Sequence, residues 1–152
     1  MRRLALHVLS ALALAAASLP ASAYTLSDTY YEDTASSAGV CPDGYQCTIS
    51  LPLPAALTGK LLTIEWIDCS GQTGAGPISN VSYFVNDGSS ASNRRYHGLS
   101  FERTPGSNVF SWNKPVKFKI TGGPPRVFNI GFTGPNTWWS ITCGIVGTIS
   151  NQ

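Results

Sequence analysis

Glycine and proline break this chain so often that no stretch is long and periodic enough for a confident helix. Fifteen glycines and ten prolines separate short runs rich in β-branched and aromatic residues. Breakers at that spacing mark an all-β sandwich or barrel. Strands are expected near 47–53, 61–69, 81–86, 99–103, 109–112, 116–121, 127–132 and 139–149, with 24–31 as an extra edge strand. About eight antiparallel strands in a single domain fit a two-sheet β-sandwich, in immunoglobulin-like or jelly-roll order. Gln72-Thr73-Gly74-Ala75-Gly76-Pro77, Asn86-Asp87-Gly88 and Gly122-Gly123-Pro124-Pro125 supply turn chemistry between them.

Alternation sorts the faces. Cys47, Ile49, Leu51 and Leu53 share one side of their strand. Val116, Phe118 and Ile120 point opposite to Lys117 and Lys119. Pro115 and the lysines suit a strand near a sheet edge. In the last strand, Trp139 shares a face with Ile141, Cys143, Ile145 and Ile149. Its neighbour Trp138 falls with Ser140, Thr142, Gly144 and Thr148, on an outer face or loop rim. Trp66, Trp112 and Trp139 are assigned to packing.

The first residues read as an export signal. Arg2 and Arg3 precede the Leu/Ala-rich run 4–19, and Ala21-Ser22-Ala23 offers a small-x-small cleavage site. The expected division is a signal peptide, 1–23, and a sandwich domain, 24–152, in an extracellular or periplasmic protein. The apolar run is too short and alanine-rich for a membrane span, and nothing later resembles one.

In an oxidising compartment the four cysteines read as two disulfides. Three pairings exist. Cys41–Cys47 with Cys69–Cys143 is preferred, closing Pro42-Asp43-Gly44-Tyr45 into a stapled turn and tying an early strand to the last. Strand parity sets Cys69 opposite to Leu62, Ile64 and Trp66, so this pairing requires a bulge or a strand end before Cys69.

Once Arg2 and Arg3 leave with the signal, charge is balanced, which argues against nucleic acid or an anionic membrane as partner and eases self-association. Catalysis is poorly supplied. His97 is the one histidine beyond the signal, and neither a phosphate loop nor a G-x-S-x-G or H-E-x-x-H motif occurs. No cofactor or metal is expected. Asn93-Arg94-Arg95-Tyr96-His97 reads as a solvated basic loop. Glu65 and Asp68 read as exposed acids on one strand face, paired across to Lys117, Lys119 or Arg103. The acidic patch Asp28, Glu32 and Asp33 has no calcium-loop signature.

Aromatics carry the functional expectation. Trp138 at a sheet end, Tyr96 and Arg95 in the basic loop and Tyr45 at the stapled turn are the expected ligand-binding residues. Indoles and phenols stack on the apolar faces of sugar rings while polar groups take the hydroxyls. The expected function is non-catalytic binding of a carbohydrate or other surface ligand. The alternative is a structural or adhesive subunit acting by protein–protein contact, with Gly144–Ile149 as a strand donated to a neighbour. A secreted hydrolase using Glu65 and Asp68 or His97 ranks third.

Overall fold

The computed structural model describes residues 23–42, 45–74, 78–88, 91–98, 102–104, 107–134 and 137–152. It is a sandwich of two antiparallel sheets. The larger holds β1 (Ala23–Ser27), β2 (Tyr30–Cys41), β10 (Thr137–Asn151), β4 (Lys60–Thr73), β8 (Ser107–Thr121) and β7 (Glu102–Thr104), in that spatial order. The smaller holds β3 (Gln46–Pro52), β9 (Val127–Thr133), β5 (Asn80–Asn86) and β6 (Ala91–Gly98). A 3-10 turn, Ala55–Leu57, buries Leu57 in the core.

The pairings nest. β5 pairs with β6, β4 with β8, β3 with β9 and β2 with β10, each pair enclosing the one before. Such a chain is one long antiparallel ribbon rolled into two sheets, and this is jelly-roll order, with β1 and β7 added at the edges of the larger sheet. Ile49, Leu51, Phe128, Ile130 and Phe132 from the smaller sheet are buried with Leu62, Ile64, Ile67, Phe118, Ile141 and Ile145 from the larger. Each such aliphatic or aromatic side chain contributes about 1.5–3 kcal/mol on leaving water.

Both disulfides have the preferred pairing, Cys41–Cys47 and Cys69–Cys143. The first joins β2 to β3 and so ties the two sheets at a corner. The second bridges directly opposed residues of β4 and β10 within one sheet, Cα atoms 4.1 Å apart. The required bulge is present. Against β10 the register slips between Trp66 and Ile64, leaving Glu65 as the extra residue. Leu62 and Ile64 therefore face the core, and so do Ile67 and Cys69. Trp66 is thrown outward, 40% exposed, which corrects its assignment to packing. Trp112 and Trp139 are buried as expected.

Other expectations change. The segment 91–98 is a strand, not a loop, and runs 109–112 and 116–121 are one strand continuing through Pro115. The stretch 24–31 divides into β1 and the start of β2, joined by a turn at Asp28-Thr29. Gly144–Ile149 is not an unpaired terminal strand, because β10 pairs with β2 on one side and β4 on the other. Residues 99–101, three of the five in one expected strand, lie outside the described residues, as do residues 1–22 of the expected signal peptide. No helix among the described residues is long and apolar enough to cross a membrane.

Candidate functional site

The outer face of the larger sheet is assembled in rows by the registers of β2, β10 and β4. Glu32, Val146 and Trp66 form one row, and Thr34, Gly144 and Asp68 the next. Ser36, Thr142 and Ser70 follow, then Ala38, Ser140 and Gln72, and finally Val40 beside Trp138. Rows lie about 7 Å apart along the strands and columns about 4.8 Å apart across them. The face is polar, nearly free of bulky groups between its ends, and bounded by an exposed indole at each end.

A groove of about 280 Å³ crosses the first three rows, lined by Glu32, Thr34, Trp66, Asp68, Ser70, Thr142, Gly144, Ile145 and Val146. Gly144 forms part of its floor. A Cβ added there would meet nothing nearer than Thr34 Oγ1 at 3.5 Å, so the open floor reflects a missing side chain rather than a steric demand. Trp66 walls one side. Asp68 has neither a hydrogen bond nor an ion pair among the described residues, whereas Glu32 accepts a 2.7 Å hydrogen bond from the Tyr30 hydroxyl. That bond, with burial and the Glu32 charge, raises the Tyr30 pKa. Ser36 and Thr142 hydroxyls are 2.8 Å apart and bond to each other. The lining offers carboxylate and hydroxyl partners and no cation.

Trp138 lies on this face, 45% exposed. The other expected ligand residues lie elsewhere. Tyr45 projects from the β2–β3 connection, 69% exposed, beside the Cys41–Cys47 bridge. Tyr96 is 60% exposed opposite Ser82, on the outside of the smaller sheet. Arg95 packs against the open edge between the sheets, its guanidinium donating to the Lys117 carbonyl at 3.2 Å and standing 5.3 Å over the Phe118 ring. The four residues do not converge, because two sheets separate Trp138 from Tyr96.

Near Arg95, the Tyr83 hydroxyl and His97 Nε2 are hydrogen-bonded at 2.8 Å and the two rings stack. Burial pushes the Tyr83 phenol pKa up, against the lowering effect of Arg95. Glu65 accepts a 2.9 Å hydrogen bond from Thr148 rather than an ion pair from Lys117 or Lys119. Three positions of regular strand would have set Glu65 and Asp68 on opposite faces; the bulge leaves both outside. Asp28, Glu32 and Asp33 do not gather either, since Glu32 faces out and Asp33 faces in.

Comparison with family models, with curated proteins and with solved structures finds no match. The reading of the site therefore rests on its own chemistry. A jelly roll hosts many unrelated activities, so the fold by itself decides none of them.

Trp66 and the groove were missed at the sequence level for one reason. Alternation was carried unbroken through Glu65. The misplaced parity of Cys69 already signalled a bulge, and setting it before Trp66 would have turned that indole outward.

Proposed function

We propose that this protein is an exported, non-catalytic binder of neutral carbohydrate, and that the groove beside Trp66 is its binding site. One observation carries the reading. An exposed indole, with Val146 beside it, walls a cleft whose polar lining is hydroxyls and carboxylates. A pyranose ring presents an apolar C–H face for the indole and equatorial hydroxyls for Asp68, Glu32, Ser70 and Thr142. The lack of a lining cation disfavours uronic or sulfated sugars, which would meet two carboxylates at close range.

The test is a panel of neutral glycans offered to the folded, disulfide-bonded protein and to Trp66→Ala. Wild type is expected to bind at least one neutral glycan, with about a tenfold loss or more in the variant. Prolonged incubation is expected to release no reducing ends. Equal binding by the variant would overturn the site, and turnover abolished by Glu65→Gln would restore the hydrolase.

A further inference from the structure

Resting on that reading, we infer that the site does not end at Trp66 but continues along β10 to Trp138, so that its ligand is a linear neutral polysaccharide lying parallel to the strand. Trp138 and Val146, which stands beside Trp66, are eight residues apart on one continuous strand. At about 3.4 Å per residue the two indoles are separated by about 27 Å. That is the length of several pyranose rings.

The surface between them suits such an occupant. Thr34, Ser36, Ser70, Thr142 and Ser140 leave a low floor of exposed hydroxyls. The bulkier exposed side chains, Asp68 and Gln72, stand in the β4 column, to one side of β10. A second protein chain would need apolar anchors at the centre of its footprint, and here the centre is serine, threonine and glycine. A polyanion would lack a cation among these rows and would face Asp68 and Glu32. An uncharged, hydroxyl-rich chain with stackable rings is what remains, held at both ends and hydrogen-bonded between. Trp138, which alternation alone leaves outside the core for no structural gain, then serves as the distal stacking platform.

Chain length is the variable that tests this. Neutral glucan, xylan and chitin oligomers are titrated into the full protein, each short (about two rings) and long (about six rings), against wild type, Trp138→Ala and Ser140→Lys. For wild type, long chains are expected to bind about tenfold tighter than short ones of the same linkage. Trp138→Ala is expected to erase that difference while leaving short-chain affinity unchanged. Ser140→Lys, at an exposed position in mid-strip, is expected to do the same by obstruction. Equal affinity of short and long chains for wild type, or a length dependence that survives both variants, would overturn the extended site and leave the groove reading standing. Failure of every oligomer to bind folded wild type would overturn both.

Discussion

At the scale of single residues, Trp66 and Asp33 show how one position of register decides between core and surface. Asp33 is 1% exposed on the inner side of β2, where it accepts a 3.0 Å hydrogen bond from the Tyr31 hydroxyl and a 2.8 Å bond from the Thr34 amide. Burial raises its pKa, and these two hydrogen bonds offset part of that rise. It also pushes the Tyr31 phenol well above its ordinary value. Because the folded-state pKa of Asp33 is the higher one, its contribution to stability is full below the ordinary carboxylate value of about 4 and is lost as pH rises through the raised value. Each unit of rise is worth about 1.4 kcal/mol. Asp33→Asn, whose amide can still meet Tyr31, is therefore expected to raise stability at neutral pH and flatten its dependence on pH. Denaturant titrations at a series of pH values would show this; an unchanged acid-side profile would contradict it. Strand parity alone could not reveal this residue, because the Ala35, Ser36 and Ser37 that follow it have little strand propensity and show no apolar alternation.

The elements explain what was legible and what was not. Strands β3, β4, β5, β9 and β10 were readable because their apolar residues alternate, or fill the run, between glycine- and proline-rich turns. Beyond Tyr30 and Tyr31 the strand β2 was missed, because its Ala, Ser and Gly residues have little strand propensity. Pairing with β10 on one side and β1 on the other imposes its conformation. The strand β6 was missed because Asn, Arg and His fill it. Those polar groups are how an edge strand avoids unwanted partners, and Arg95 turns back onto the core rim. Both disulfides were deduced from turn sequence and compartment, yet their energetic ranks differ. Closing the loop from Cys69 to Cys143, separated by 74 residues, is worth about 4.5 kcal/mol in the chain-entropy model, against about 2.4 kcal/mol for Cys41–Cys47. Replacing the pair Cys69/Cys143 by alanine is expected to lower the denaturant midpoint by more than the same change at Cys41/Cys47. The reverse order would indicate that the corner tie between sheets matters more than loop closure.

The whole molecule is organised around its last strand. β10 is central in the larger sheet, contributes Trp139, Ile141, Ile145 and Ile149 to the core, and carries the middle column of the proposed site. Deleting the residues after Gly144 would strip the start of β2 and Lys60–Ile67 of β4 of their β10 partner and remove Ile145 and Ile149 from the core. It is expected to abolish the cooperative thermal transition rather than yield a folded protein with a vacant edge. A truncated form that still melts cooperatively would contradict this view and revive a role for the segment in assembly between copies. The nested ribbon also explains why sheet order was illegible. Jelly-roll and immunoglobulin-like chains have the same strands and turns, and they differ only in which distant strands meet. The proposed site inherits that illegibility, since Glu32, Thr142 and Asp68 come from three strands far apart in sequence.

The central claim is that the outer face over Gly144 holds the ligand, and Gly144→Val tests it most directly. The new Cβ has ordinary clearance on the fold side, and valine suits a strand better than glycine, so the melting temperature is expected to hold or rise. The added methyl groups occupy the groove floor, so affinity for a neutral glycan bound by wild type is expected to fall at least about tenfold. A variant that folds and binds that glycan as wild type does would contradict the account.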